Sequence, residues 1–301
     1  MRLLAPAALA CLLGLAPAVA FGGPRACGDD VDGHGRVVPC DCGDVLVSSH
    51  TLGDRDPIIR HACPGPGLIV RVPARRPAPT LAFGGHEIVG SRRAAGIAVV
   101  GGGAGGLTLV GPGTVRGFDV GVEAGPRTLA RVADLTLADN ASDGLRAGGA
   151  GYVVSRCQAR RNGRDGFVLH GTGYRADGNQ ASENGRAGFR LGGRGATIAG
   201  NRAEGNGREG LVLRGREHDV EGPVAGANGG DGIRTSVRRT RIDAAVATGN
   251  AGAGLAGSAH DSLIARATAE GNRRLGLRLR GARLGDGAGR MPACRPGAPC
   301  R

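Results

Sequence analysis

From residue 140 to residue 277 the chain repeats with a period of 22. A glycine followed by a residue that is usually large and apolar recurs at Gly144-Leu145, Gly166-Phe167, Gly188-Phe189, Gly210-Leu211, Gly232-Ile233, Gly254-Leu255 and Gly276-Leu277. Four residues before each glycine stands an asparagine: Asn140, Asn162, Asn184, Asn206, Asn228, Asn250 and Asn272. Ten residues after the glycine comes a mostly β-branched column, Val154, Ala176, Ile198, Val220, Ile242 and Ile264. Fifteen after it alanine returns at 159, 181, 203, 225, 247 and 269. A short period held this strictly restricts the chain to folds in which each unit packs on its neighbours.

The content of the unit narrows the choice. Apolar positions alternate after the glycine, as in Leu211-Val212-Leu213, and no stretch has sustained helical periodicity. Three short strands per coil are predicted. One runs about four residues from the glycine, one centres on the Val/Ile column, and one ends at the alanine column. Gly-rich polar turns join them. This describes an all-β solenoid, a parallel β-helix whose coils bond to one another about 4.8 Å apart. The 59 glycines of the 301 residues do not fall at every third position, which excludes collagen. Helical solenoids and leucine-rich repeats lack their signatures.

The asparagine column has a physical reason. A buried turn leaves backbone groups that need partners. Asn tolerates the left-handed conformation and bonds to backbone. Stacked in register, each amide can donate to the next carbonyl as a ladder. The marker glycine either takes a positive φ or lets the chain turn closely. Upstream, the steps from Gly144 back to Gly121, then Gly96, then Gly67 grow one after another, so the early coils carry longer loops. About ten coils are expected over 64–285, roughly 45–50 Å of axis.

Residues 1–20 have the form of a signal peptide: Arg2, an apolar run from Leu3 to Val19, and an A-x-A end at Ala18-Val19-Ala20. Pro6, Gly14 and Pro17 argue against a spanning helix, and no later run is long enough to span. Cleavage after Ala20 removes Arg2 and Cys11. The remaining chain starts at Phe21, keeps the other seven cysteines, and has one positive charge fewer than the formal +13. It is destined for secretion, the periplasm or the cell surface. All 39 basic residues are arginine, partly the mark of GC-rich coding. Export and the lack of known nucleic-acid modules argue against a nucleic-acid partner. The basic balance points to another anion.

The segment Cys63-Pro-Gly-Pro-Gly-Leu-Ile-Val70, then Leu81-Ala-Phe-Gly-Gly-His-Glu-Ile-Val-Gly90, then Gly113-Thr-Val-Arg-Gly-Phe-Asp-Val-Gly121, followed by the Asn-x-x-x-Gly repeats, resembles secreted right-handed parallel β-helix proteins of the pectin-lyase-like superfamily. The resemblance covers nearly the whole chain after residue 20. It implies a right-handed, single-stranded β-helix. That superfamily includes polysaccharide lyases, hydrolases, epimerases and non-catalytic surface proteins, so it implies no single activity. The acidic or amide residues usual before Gly-His are Phe83 and Gly84 here, and the Asp-Pro-His motif of alginate epimerases is absent. A polygalacturonase-like acid pair is missing too: Asp29-Asp30 lies outside the repeats. A copper-accessory role lacks methionine, with only Met291 besides the initiator.

Residues 21–63 form a cysteine-rich N-terminal cap with Cys27, Cys40, Cys42 and Cys63, and 286–301 a C-terminal cap or tail with Cys294 and Cys300. His34, His50 and His61 mix with the first cluster, but an exported chain favours disulfides over a metal site. Such caps would protect the raw strand edges at the ends of a β-helix. Spacing favours Cys27–Cys40, Cys42–Cys63 and Cys294–Cys300, with the connectivity left open. Cys157 is expected as a small buried hydrophobe.

Two columns could carry chemistry. Just before the marker glycine stand Asp143, Asp165, Glu209 and Asp231. Adjacent carboxylates about 5 Å apart resemble a retaining-glycosidase pair, with its separation of about 5–5.5 Å. Asp-Gly is also a favoured turn pair, and the preceding Arg164, Arg186 and Arg208 would hold the acids as surface ion pairs. Calcium is the one ion such a pair suggests, though two side chains supply few of its roughly 6–8 oxygens. Otherwise neither cofactor nor metal is expected. Two residues after the glycine, Arg146, Arg190, Arg234 and Arg278 recur on alternate coils, facing outward, about 9.6 Å apart. Guanidinium suits carboxylate or sulfate. His170 and His218 read as surface turn residues.

The expectation is an exported β-helix that binds an acidic polysaccharide or cell-surface glycan without catalysis. The rivals are a polysaccharide lyase or glycoside hydrolase using the acid column, and a purely structural surface protein.

Overall fold

The computed structural model describes residues 24–72, 78–101 and 106–285. The named strands pair in parallel, and a 3-10 turn at Pro57–Ile59 is the one helical element among the described residues. The fold is a right-handed parallel β-helix with three faces. Sheet 1 holds the long strands Leu145–Ala150, Phe167–Thr172, Phe189–Arg194, Leu211–Arg216, Ile233–Arg238, Leu255–Ala265 and Leu277–Leu284. Sheet 2 includes Arg175–Asp177, Thr197–Ala199 and Asp219–Glu221. Sheet 3 includes Gln180–Ser182, Arg202–Glu204 and Val224–Gly226. Every face advances by the same sequence step, as in Phe189↔Leu211, Ile198↔Val220 and Ala203↔Ala225.

Before the regular set, sheet 1 continues as Ala26–Cys27, Val45–Leu46, Leu68–Val72, Ile97–Gly101 and Val122–Ala124. Its twelve strands make about eleven turns, one more than the repeat predicts. The difference arises inside residues 21–63. There the pairs Ala26↔Val45 and Val45↔Ile69 already belong to the parallel ladder, on strands of two residues that show no period. The early steps Leu68↔Ile97, Ile97↔Val122 and Val122↔Leu145 are the irregular ones.

The interior is narrow and filled by stacks of like residues. Phe167 stacks on Phe189 at 5.0 Å and Tyr152 on Tyr174 at 5.2 Å, and all four are fully buried. Phe83 and Phe118 are buried too, so the aromatics among the described residues are core residues rather than a sugar-stacking surface.

Each regular coil turns three times, and each turn contains one left-handed residue. The left-handed columns include Gly173, Gly195 and Glu217; Arg156, Gly178 and Gly200; and Arg161, Glu183 and Gly205. The next residue points inward. The asparagines are therefore not the left-handed residues themselves but the inward residues that follow them. The marker glycines do not take positive φ either; they answer to crowding. A Cβ on Gly188 would meet Asn206 Nδ2, Ala203 Cβ and Gly210 O, each at 2.9 Å.

The ladder runs unbroken. Nδ2 of Asn140, Asn162, Asn184, Asn206, Asn228 and Asn250 each donates at 2.9 Å to Oδ1 of the asparagine one coil on, ending at Asn272. The same Oδ1 atoms accept the backbone N–H of the preceding asparagine, as at Asn184–Asn206, 3.1 Å. The second amide hydrogen reaches a backbone carbonyl, Ala181 O for Asn206 at 3.1 Å. On the coil before Asn140 the position is Phe118, whose N–H caps Asn140 Oδ1 at 3.1 Å. A shorter ladder, Asn179 to Asn201, lies in the turn before sheet 3, with Cys157 N–H donating into it. Cys157 is fully buried, and burial pushes its thiol up to about 11.

At the N-terminal end, disulfides join Cys27 to Cys40 and Cys42 to Cys63. Buried His50 lies between two carboxylates, Nδ1 at 2.7 Å from Asp29 and Nε2 at 2.7 Å from Asp56. Residues 1–20, with the expected cleavage after Ala20, and the pair Cys294 and Cys300 lie outside the described residues. Among those described, no helix is long and apolar enough to cross a membrane.

Candidate functional site

The acid column is built into the wall. Asp143 and Asp165 are 3% and 4% exposed. Asp143 Oδ1 accepts the N–H of Asp165, Asp165 Oδ1 that of Ala187 at 2.9 Å, and Asp231 Oδ1 that of Ala253 at 2.9 Å. Each aspartate thus satisfies the turn of the next coil. The partner of the remaining oxygens is not the expected column Arg164, Arg186 and Arg208. Arg146 donates to Asp143 Oδ2 at 2.6 Å and to Glu123 at 3.1 Å. Arg190 binds both oxygens of Asp165 at 3.0 and 3.2 Å, and Arg234 binds Glu209 at 3.0 Å. The reason is strand alternation: Leu145 and Ala147 point inward, so Arg146 emerges beside the carboxylate that precedes the strand. Arg146, Arg190 and Arg234, expected as a ligand-binding row, are outward but already engaged. Both oxygens of Asp143 and of Asp165 thus accept hydrogen bonds from backbone N–H or guanidinium donors.

Arg278 is exposed and pairs with no described residue. It lines a recess of about 410 Å³ with Asp231, Arg234, Thr235, Ser258 and Arg280.

A larger groove of about 750 Å³ runs along the axis on the outer face of sheet 1. Arg194, Arg216, Arg238 and His260 stand along it on four consecutive coils, in direct register. All four are exposed. Arg194 pairs with Glu217 at 2.5 Å, whereas Arg216 and Arg238 pair with no described side chain. Gly171, Gly193 and Gly215 form its floor. They have φ of +137°, +115° and +111°, and a Cβ on Gly193 would lie 1.9 Å from Gly171 O, so only glycine fits. His170, Thr172, Ser236, Val237 and Ser258 complete the lining, and no described carboxylate belongs to it.

Sequence reasoning missed this column because the first strand was expected to last about four residues. It lasts six, adding outward positions four and six residues after the marker glycine. Aligning the repeats to their full length would have displayed Arg194, Arg216 and Arg238 as a stack.

The histidines divide. His170 and His260 are exposed in the groove, four coils apart, roughly 19 Å. His218, expected at the surface, is 3% exposed and belongs to a polar stack in the turn before sheet 2. Its Nδ1 accepts Ala196 N–H, its Nε2–H donates to Arg214 O at 3.0 Å, and its own N–H donates to Thr240 Oγ1. Burial lowers its pKa, which fits a neutral ring with both nitrogens satisfied.

Two clusters have metal-like donor spacing, Cys40-His50-Asp56 and Asp41-Cys42-His61. Each includes a cysteine held in a disulfide.

No protein-family model matches the sequence, and no curated protein is similar to it by sequence. Solved structures share the fold. The A-module of the Azotobacter vinelandii mannuronan C-5 epimerase AlgE4 superposes with a TM-score of 0.57 at 16% identity, covering 86% of this chain and 82% of that one. The periplasmic alginate epimerase AlgG superposes with a TM-score of 0.52 at 16% identity, covering 73% of this chain. The chain spans 60% of the length of AlgG. Fold and likeness together define the class: a right-handed parallel β-helix.

Proposed function

We propose that this is an exported binder of acidic polysaccharide, which lies without chemical change along the groove of sheet 1. The observation that carries the reading is the register of Arg194, Arg216 and Arg238. Like charges directly opposite on neighbouring strands destabilise a sheet. Here three recur at about 4.8 Å and two lack a counter-charge among the described residues. An extended polyanion supplies that counter-charge, and guanidinium pairs carboxylate or sulfate bidentately. Glycines under the column let a chain approach the backbone closely. Two of the similar structures are epimerases named for mannuronan and alginate, which favours the same ligand class. Two disulfides suit an oxidising, extracytoplasmic compartment.

The lining supports binding without catalysis. Glycosidase chemistry uses two carboxylates flanking one bond, and none of the described carboxylates lines this groove. His170 and His260 are too far apart to act on one sugar. The acid column is committed to turns and arginines.

The test is calorimetric titration of a uronic-acid oligomer series into wild type and Arg216→Gln/Arg238→Gln. Removing two exposed pairing sites weakens binding by about tenfold. The loss grows with oligomer length through multivalency and fades with salt. The same samples are assayed for new reducing ends, unsaturated uronides and C5 inversion. Turnover that disappears in His260→Gln would replace this reading with an enzyme. Affinity unchanged in the double variant would remove the groove from it.

A further inference from the structure

A second arginine column stands at the opposite edge of sheet 1. Arg164, Arg186 and Arg208 occupy the turn that enters the sheet, on three consecutive coils. Their backbones are in register: Arg186 N–H donates to Arg164 O at 2.8 Å, and Arg208 N–H to Arg186 O at 3.0 Å. Arg164 and Arg208 are exposed and Arg186 is half-buried. None of the three has a side-chain hydrogen bond or ion pair to a described residue. Several turn arginines elsewhere do have partners across coils. Arg156 pairs with Asp134, Arg161 with Asp139, and Arg266 with Asp243. The ridge is unpaired because the neighbouring acids turn inward and bind Arg146, Arg190 and Arg234 instead. Three like charges about 4.8 Å apart repel one another and gain from an external anion.

Ridge and groove are parallel and distinct. Eight residues separate Arg186 from Arg194 along the chain, at most about 26 Å when extended. Between them lies the row Arg146, Arg190 and Arg234, neutralised by its acids. We infer that the ridge is a second track for an acidic polysaccharide strand, so that one molecule bridges two strands. The bridging rests on the groove reading; the ridge as a polyanion site does not. The recognising chemistry is guanidinium against carboxylate or sulfate at one anionic group per coil.

The probe is an oligomannuronate hexamer, unlabelled for stoichiometry and as a mixture of donor- and acceptor-labelled copies for energy transfer. The variants are Arg164→Gln/Arg186→Gln/Arg208→Gln on the ridge and Arg216→Gln/Arg238→Gln in the groove. These side chains hold no described partner, so the melting midpoint stays at the wild-type value. Wild type is expected to bind two hexamers and to give energy transfer on a single chain. At a hexamer concentration between the wild-type dissociation constant and one tenfold higher, each variant binds one hexamer and loses the transfer, because only its own site is weakened, by about tenfold.

Two hexamers on the ridge variant would overturn the ridge. One hexamer on wild type, lost only in the groove variant, would overturn the second track and leave the proposed function standing. One hexamer lost only in the ridge variant would overturn bridging and the groove together, keeping the ridge as the track. No binding at low salt overturns all three. Equal affinity of the ridge for an oligothymidylate would overturn the polysaccharide assignment in favour of generic polyanion binding.

Discussion

The first two coils and the regular body solve the same problem differently. In the body every turn meets an identical turn one coil away, so a single residue type can satisfy them all. Asn206 accepts from Asn184 and donates to Asn228, and the bond lengths barely change along the ladder. At the N-terminal end no coil precedes among the described residues. Strands shrink to two residues, and the closure is made of unlike parts. Cys27–Cys40 and Cys42–Cys63 close loops of 13 and 21 residues. His50 is clamped by Asp29 and Asp56, and Asp56 also accepts the N–H groups of Cys40 and Gly53. Repetition makes polar burial simple; an end needs crosslinks made for that place.

Reduction separates the two regions most strongly. Losing a native disulfide costs about 2–5 kcal/mol in small domains, and the body contains none among its described residues. With reductant, hydrogen exchange is expected to accelerate in peptides from 24–63 and to stay slow from 140 to 272. Equal loss of protection in both would mean that the end and body unfold together.

The next effect belongs to the body. Asn206→Ala leaves the N–H and Nδ2 of Asn184 without their shared acceptor, at a cost of about 1–3 kcal/mol. Asn272→Ala at the ladder's end has no ladder asparagine beyond it and costs less. Urea midpoints of both variants check the order. An unchanged Asn206→Ala midpoint would mean that the ladder is not a stabilising element.

Asp165→Ala removes the acceptor for Ala187 N–H and the partner of Arg190, a cost of about 1–2 kcal/mol. The expected signature is lower stability with polysaccharide affinity preserved. Lost turnover at full stability would instead restore the catalytic reading of the acid column.

The smallest effect is the most discriminating, because the two regions respond to pH with opposite sign. Hydrogen bonding to Asp56, then to Asp29, raises the pKa of His50. Its stabilisation is complete below about 6.5, the unfolded value, and is lost as pH rises through the higher folded value. Burial pushes Asp56 upward, but bonds from His50, Cys40 and Gly53 leave it lowered overall. Its contribution is present above about 3.9 and fades as pH falls through the folded value. The N-terminal end is therefore firmest between roughly pH 4 and 6.5. His218 is depressed by burial, so the unfolded chain takes up a proton below about 6.5 that the folded one refuses, and the body weakens there. Going from pH 8 to 5.5, His50→Gln should remove the gain at the end, and His218→Gln the loss in the body. Shifts of the same sign in both variants would refute the distinction.

The solenoid was legible because one interaction recurs at one spacing. Seven asparagines in step are enough to define coil length and the direction of stacking. What stayed hidden needs lengths and directions. The strands after Gly188 and Gly210 run past their apolar alternation, because the outward Arg194 and Arg216 and the intervening glycines carry no apolar signal. Likewise, a list of acids and arginines does not say which of two flanking columns an aspartate faces. Asp165 turns to Arg190, on the following coil, rather than to Arg164 beside it. The buried place of His218 was hidden because its column, Tyr174, Ala196, His218 and Thr240, changes residue type at every step.

The fixed step makes this molecule extendable in whole units. Deleting or duplicating one complete repeat anywhere between Asn140 and Asn272 rejoins all three turns, both ends of the ladder and every outward column at once. A change one residue longer or shorter than the repeat would misplace them together. Length along the axis can therefore vary only in quanta of about 4.8 Å, each bringing one asparagine inside and one position per column outside. A lineage that gains coils by unequal recombination would lengthen its outward columns without redesigning a contact. The number of coils, rather than the identity of any one residue, would set the shortest polymer it holds firmly.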